Sequence, residues 1–122
     1  MKKERVRYLT VRFIGQKDIS EKDAWFILAT EIKRLFGVTG AAKVGLYLSY
    51  FDPQNQGGVF RMSHQSVHLI RASICFVHSH HSQPLYVYSE YLTGSLKKAK
   101  EYLYNKNYHD RYYVLKKNLV GS

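Results

Sequence analysis

The fold of this chain follows from residues 43–62, which read KVGLYLSYFDPQNQGGVFRM. Apolar residues alternate with polar or small ones over 44–48, which is the period-two pattern of a half-buried strand. The run DPQNQGG then gives a strong turn signal, and a second short apolar run comes after it. The stretch therefore predicts a β-hairpin with strands over 43–51 and 59–62.

A strand and a helix are predicted before this hairpin. Residues 5–14 predict a strand, because apolar and polar residues alternate over 9–13. Ser20 starts a helix, with Asp23 placed for a capping-box-like arrangement, and Gly37 ends it. The apolar stripe of this helix consists of Trp25, Leu28, Ile32 and Leu35.

Two more helices and a strand are predicted after the hairpin. Ser63 can cap a second helix over about 64–78. A polar loop follows that helix and leads to a fourth strand over 85–92. Thr93 or Ser95 then caps a third helix. The apolar stripes of these two helices consist of Val67, Ile70, Ile74 and Val77 and of Leu96, Ala99 and Leu103.

The order β-α-β-β-α-β, followed by a helix, predicts the fold class. It is that of the ferredoxin-like, or RRM-like, α+β sandwich with a four-stranded antiparallel sheet and an extra C-terminal helix. Right-handed crossovers place the first and third strands at the centre, with the two main helices on one face. We expect one domain over 1–104 and, over 105–122, a basic, Tyr-rich extension that continues as helix and packs on the domain. The second face of the sheet, open or covered by the C-terminal helix, would present Tyr8, Thr10, Arg12, Tyr47, Tyr86 and Tyr88.

The charge of the chain is large and concentrated near its ends. The 122 residues include 19 Lys and Arg against 9 Asp and Glu, a formal net charge of +10. Residues 2–12 carry five cations and one acid, and residues 96–118 carry seven cations and two acids. This distribution favours a polyanionic partner such as nucleic acid. A single cysteine, Cys75, fits a reducing compartment, and with neither a signal pattern nor a membrane-length apolar run we expect a cytoplasmic protein without membrane contact.

Several kinds of site are disfavoured by the pattern. The third strand, GVFRM, does not match the base-stacking signature of the RNA-recognition motif. His78, His80 and His81 lie in one loop after Cys75, but no complementary ligand pair is evident, so a solvated loop is favoured over a metal site. Gly15 begins a loop that lacks the glycines and arginine of acylphosphatases. We therefore expect no catalytic residue and no metal ligand in the polypeptide.

Four segments have the order and spacing of a known family. They are FGVTGAAKVGL at 36–46, FDPQNQGGVFRMSH at 51–64, VHLIRASI at 67–74 and TGSLKKA at 93–99. Over about residues 5–104 the chain resembles the Pop-five family of ribonuclease P protein subunits, in particular its archaeal branch.

This resemblance implies a function that composition could not indicate. Ribonuclease P is a ribonucleoprotein endoribonuclease that removes the 5′ leader of precursor tRNA. In this family's complexes the catalyst is RNA with bound Mg²⁺, and no cofactor is expected on the protein. The resemblance implies a noncatalytic subunit that binds ribonuclease P RNA and stabilises it together with protein component 3 and other ribonuclease P proteins. The chain would contact precursor tRNA only indirectly, and it could form a homodimer within the assembly.

Two alternatives stay open at this point. One is a general ferredoxin-like RNA-binding module, for example a ribosome-associated one. The other is a small enzyme of the same fold that acts on anions.

The candidate site residues follow from charge, aromaticity and the matched segments. Arg61 and Arg71 lie in matched segments, and an Arg side chain can fork onto phosphate. The alternative for each is an ion pair with an acid such as Glu31 or Glu90. The residues predicted to bind RNA are Lys2, Lys3, Arg5, Arg7, Arg12, Arg61, His64, Arg71, Lys97, Lys98 and Lys100. Those predicted to contact a protein partner are Tyr8, Tyr47, Tyr86 and Tyr88.

Overall fold

The structure, a computed structural model, describes residues 5–104. The predicted tail after Asn105 and the predicted RNA contacts Lys2 and Lys3 lie outside these residues. The strands are β1 (Val6–Ile14), β2 (Tyr47–Asp52), β3 (Gly57–Ser63), β4 (Ser79–His80), β5 (Gln83–Pro84) and β6 (Tyr86–Thr93). The helices are α1 (Glu21–Val44), α2 (Val67–Phe76) and α3 (Leu96–Tyr104), with a 3₁₀ turn at His64–Ser66.

The main sheet has four antiparallel strands in the order β2-β3-β1-β6. The first and third strands are therefore central, as the sequence predicts. The α+β fold class is confirmed. Among residues 5–104, no helix is both long enough and apolar enough to cross a membrane.

The larger core lies between this sheet and the pair α1 and α2. Leu9, Val11 and Phe13 point into it from β1, so the predicted alternation of that strand is confirmed. The predicted stripe of α1 is partly wrong, because Trp25 is 43% exposed. The residues of α1 that are buried are Ala24, Ile27, Leu28, Ile32 and Val44.

The path of α1 differs from the predicted one after Gly37. Ser20 and Asp23 form the expected capping box at its start. Gly37 breaks the helix with φ 75° and ψ 178°, but helical geometry then resumes up to Val44 and ends at Gly45. The predicted strand start at residue 43 is therefore wrong. Val44 is fully buried, but it packs into the core as the last residue of α1 and not as part of a strand.

The segment between β3 and β6 also departs from the prediction. The predicted helix over 64–78 is a 3₁₀ turn followed by the shorter α2. The predicted polar loop forms a small hairpin, in which β4 pairs with β5. Gln16 holds this hairpin, because its Nε2 donates to the carbonyl oxygen of His80 at 2.9 Å and to that of Gln83 at 3.1 Å.

Helix α3 covers the second face of the sheet. Ala99 and Leu103 pack on Val59 of β3, with Tyr8 and Tyr50 around them. The aromatic rings of Tyr91 and Tyr102 stack on this side at a centroid distance of 4.9 Å. The face that would otherwise expose several aromatic residues is thus an interior layer of the molecule.

Candidate nucleic-acid interface

Cations from separate parts of the sequence meet at one end of the sheet. Strand register places Arg61 opposite Tyr8 on one side and opposite Tyr47 on the other. The backbone N–H of His64 donates to the carbonyl oxygen of Arg5 at 2.8 Å, which joins the end of β3 to the start of β1. The side chains of Arg5, Arg61 and His64 are exposed.

The start of α3 adds more cations at the same end. Thr93, the last residue of β6, lies opposite Tyr8. Ser95 is the N-cap, since its Oγ accepts from the backbone N–H of Lys98 at 3.3 Å. Lys97 and Lys98 are exposed in the first turn. The N-terminus of a helix carries a partial positive charge and repels cations. Helix stability therefore does not explain why Lys97 and Lys98 are there.

Arg7 completes this group. Its Nη1 donates to the carbonyl oxygen of Val6 at 2.9 Å, and the same atom lies beside Gly94 just before α3. We call the combined surface the basic end; it consists of Arg5, Arg7, Arg61, His64, Lys97 and Lys98.

Arg12 does not fit its predicted role in RNA binding. Its side chain is only 2% exposed, and its Nε lies 3.7 Å from Oε1 of Glu90. The hydroxyl of Tyr102 donates to the other oxygen of Glu90 at 3.2 Å. Arg12 therefore links β1 to β6 and α3 inside the protein, because its position in the β1 alternation places it beneath α3.

Lys100 is half-buried rather than freely available. Its Nζ lies 5.3 Å from the ring centroid of Tyr50, within cation–π distance. The hydroxyl of Tyr50 is hydrogen-bonded to that of Tyr104. This hydrogen bond is the main cause that raises the pKa of Tyr50 to about 12.

Arg71 lies apart from the basic end. It is exposed on α2, which packs on the sheet face opposite to α3. The acids considered as partners for Arg61 and Arg71 are engaged elsewhere: Glu31 pairs with Arg34, and Glu90 with Arg12.

The four tyrosines predicted for a partner do not form one patch. Tyr8 is half-buried on the α3 side, and the half-buried Tyr88 lies opposite Arg12 in the strand register. Tyr47 and Tyr86 are 61% and 60% exposed, but they lie at opposite ends of the sheet.

A second exposed aromatic set was missed by the sequence analysis. Trp25 and Phe26 of α1 are 43% and 58% exposed, and with Tyr47 and Leu48 they line a groove of about 860 Å³. The indole Nε1 of Trp25 donates to the carbonyl oxygen of Leu46 at 3.3 Å, which keeps the ring at the surface. The adjacent aromatic pair Trp25-Phe26 was the available signal, because a helix rarely buries two consecutive residues equally.

The sheet itself is closed to nucleobases in this structure. RNA-recognition motifs bind bases by stacking them on aromatic residues of the sheet face. Here α3 occupies that face. Contact with RNA through exposed cations on phosphates is thus the mode that this geometry permits, and it reads backbone and shape rather than base sequence.

The histidine loop is not simply solvated, as the sequence had favoured. The structure brings one ligand atom each from Asp23, His80 and His81 within 4.8 Å of one another. Burial lowers the pKa of His80, and neighbouring His81 lowers it further. The pKa of Asp23 is lowered chiefly by hydrogen bonding with Ser20.

Comparison with known proteins identifies the family. The model of the Rpp14/Pop5 family matches residues 7–104, so the chain belongs to that family. The resemblance predicted from the sequence is confirmed.

Several relatives are named ribonuclease P protein component 2. The protein of Methanococcus maripaludis strain C6 is 24% identical over 115 residues, covering 94% of this chain and 87% of the relative. That of Methanococcus vannielii is 23% identical over 122 residues, with 97% and 92% covered. That of Methanocaldococcus jannaschii is 20% identical over 98 residues, with 80% and 72% covered.

A solved structure has the same fold. A chain in the cryo-EM structure of yeast ribonuclease MRP superposes with a TM-score of 0.60 at 16% identity. The match covers 95% of this chain and 98% of that one.

Proposed function

We propose that this chain is a noncatalytic, RNA-binding protein subunit of ribonuclease P, the ribonucleoprotein endoribonuclease that removes the 5′ leader of precursor tRNA. Membership of the Rpp14/Pop5 family supports the assignment to ribonuclease P, and the exposed cations of the basic end support the assignment of RNA binding. The observation that carries the proposal is the strand register, which gathers cations from distant segments onto one exposed end of a folded domain.

The basic end would neutralise phosphates where the RNA packs closely. Each Lys or Arg that replaces counterions on a phosphate gains affinity from counterion release and makes binding dependent on salt. Arg61 lies near the middle of this end, between two strands that fix its position. Arg71, on the other side of the molecule, would contact a separate RNA segment.

Cleavage would be carried out by the RNA and its Mg²⁺. Mg²⁺ prefers six oxygen ligands and keeps several of its waters, so RNA phosphates suit it well. The protein's role would be to stabilise the active RNA fold. A cytoplasmic location, the extent of the domain over 1–104 and the packing of the tail stay predictions.

Protein component 3 is the partner that we assign to the groove beside Trp25, Phe26 and Tyr47. Contiguous exposed aromatic surface is typical of protein interfaces. This moves the predicted interface from a row of tyrosines on the sheet to the α1 side of the edge strand β2, with Tyr47 common to both. A homodimer within the assembly would use other surfaces.

Reconstituted cleavage of precursor tRNA tests the proposal. Ribonuclease P RNA and component 3 are combined with the wild-type chain, with R5A/R61A/K97A, or with the control K17A/K33A/R34A, which removes three exposed cations outside both the basic end and the groove. We expect the wild type and the control to restore 5′ cleavage at limiting Mg²⁺ and the basic-end variant to restore much less.

Other results would contradict the proposal in distinct ways. A chain that binds structured RNA without stimulating cleavage would be a general RNA-binding module. Cleavage by the polypeptide without RNA would make it an enzyme in its own right.

A further inference from the structure

The β4–β5 hairpin places two consecutive histidines against the start of α1. Two attachments hold this hairpin: the Gln16 amide on its carbonyl oxygens, and a hydrogen bond from the backbone N–H of Leu85 to the carbonyl oxygen of His78 at 3.1 Å. Its two tip residues, His81 and Ser82, have φ values of 52° and 63°. Left-handed geometry at both positions defines a tight turn that usually selects Asn or Gly.

The imidazole of His80 is largely buried, and one of its ring nitrogens has no hydrogen bond. The side chain of His80 is 10% exposed, and its Nε2 is buried and has no hydrogen-bond partner. This atom faces Oδ1 of Asp23 at 3.9 Å, beyond hydrogen-bond distance. A buried polar atom without a hydrogen bond is costly, which calls for a ligand or another reason.

The carboxylate of Asp23 is positioned by the helix start. Its Oδ2 accepts from the backbone N–H of Ser20 in the capping box, which leaves Oδ1 directed at His80. The ring of His81 lies beside that of His80 at a centroid distance of 3.9 Å. One nitrogen from each imidazole and one carboxylate oxygen thus lie within 4.8 Å of one another.

The chemistry of these donors selects a class of ion. Imidazole nitrogen and carboxylate oxygen are common ligands of Zn²⁺ and neighbouring first-row metals, and three protein ligands leave a fourth position for water. Zinc bonds of about 2.0–2.2 Å require donor atoms roughly 3.3 Å apart. Closing the 3.9 Å between Nε2 of His80 and Oδ1 of Asp23 to that value needs a small movement of one of these two side chains, and the exposed ring of His81 can rotate toward them. Mg²⁺ prefers oxygen ligands alone and does not match this set.

We propose that Asp23, His80 and His81 form a binding site for a late first-row divalent metal ion such as Zn²⁺. The site lies apart from the basic end and does not depend on the proposed role in ribonuclease P. By joining the hairpin to α1, a bound ion would fix the segment that leads into β6.

Titration of the full-length, chelator-treated chain with Zn²⁺ tests the site. Isothermal calorimetry gives the stoichiometry and affinity, and the visible spectrum of the Co²⁺ form reports the coordination geometry. The variants are H80A/H81A and D23N, whose amide oxygen can still accept the capping hydrogen bond. The control H68A/H109A removes two histidines elsewhere in the chain.

We expect one Zn²⁺ per wild-type and control chain, and a loss of affinity of at least about tenfold in both site variants. Zn²⁺ should also raise the melting temperature of the wild type but not of the variants. Equal affinity in wild type and site variants would overturn the proposal, as would no binding by the wild type. If H80A/H81A fails to fold by circular dichroism, the D23N comparison decides the question.

Discussion

At the scale of single residues, the buried pair of Arg12 and Glu90 is the contact whose loss should cost most. The side chains are 2% and 8% exposed, and the pair lies between the sheet and α3. Removing one member of a buried pair leaves a charge without its compensation and costs roughly 3–5 kcal/mol. We expect R12A to lower the free energy of unfolding by about that amount, as measured by urea denaturation.

The pair of Glu31 and Arg34 on α1 provides the matched control. Arg34 is 58% exposed, so water screens this pair. Surface pairs contribute about 0–1 kcal/mol, and R34A should therefore change stability very little. Equal effects of R12A and R34A would show that Arg12 is not a structural residue, and its predicted role in RNA binding would return.

Gly37 is a second residue whose substitution should destabilise the protein. Its φ of 75° and ψ of 178° belong to a region that is essentially restricted to glycine, and an added Cβ would meet no atom within 4 Å. G37A therefore tests backbone strain without a clash. We expect a loss of about 1–3 kcal/mol by denaturant unfolding, against less than about 0.5 kcal/mol for the exposed control T39A. A neutral G37A would mean that α1 can continue unbroken through this position.

At the scale of elements, the helices and strands could be predicted from sequence where the apolar residues follow a single helical or strand period. The β1 alternation over 9–13 and the cap at Ser20 gave correct elements. The start of the second strand was placed at residue 43 rather than at Tyr47, because a short apolar run can occur at a helix end as well as in a strand. The small β4–β5 hairpin has no apolar period, and its backbone carbonyl oxygens accept hydrogen bonds from the side-chain amide of Gln16, which lies far away in the sequence.

The candidate site was only partly predictable for a similar reason. Charge alone identifies cations, but burial depends on which element covers each strand face. Arg12 was therefore grouped with the exposed arginines, although α3 covers it in the structure. The association of Asp23 with His80 depends on how the hairpin packs on α1, and no local sequence pattern encodes that packing.

The start of α3 allows stability and RNA binding to be separated. Lys98 stands three residues after the N-cap Ser95, where a glutamate would complete a capping box and favour the helix dipole. K98E should thus stabilise the protein by about 0.3–1 kcal/mol while weakening RNA binding. Denaturant unfolding and RNA affinity are measured in the same buffer.

The control for that variant is K33E, which makes the same change in net charge on α1. It should weaken RNA binding much less than K98E does. If both variants weaken binding equally, net charge rather than the basic end determines affinity.

At the scale of the whole molecule, charge is unevenly distributed along the sheet. The cations of the basic end lie where β1 starts and where β3 and β6 end. Asp18, Asp23 and Asp52 belong to segments that meet at the opposite end of β1, beside the β2–β3 turn and the β4–β5 hairpin. We call the end that holds these three aspartates the acidic end. Such a distribution orients the molecule so that the basic end faces a polyanion and the acidic end faces away from it.

The salt dependence of RNA binding tests this orientation. Each phosphate contact contributes about 0.7–0.9 to the slope of log affinity against log salt concentration. R61A/K97A should reduce the slope by roughly 1.4–1.8, because both side chains are exposed at the basic end. K17A/K22A, which removes the same charge near the acidic end, should leave the slope unchanged. R71A tests the opposite face of the sheet, where a reduced slope would show that RNA also contacts α2. Equal slopes for R61A/K97A and K17A/K22A would mean that the basic end does not direct binding.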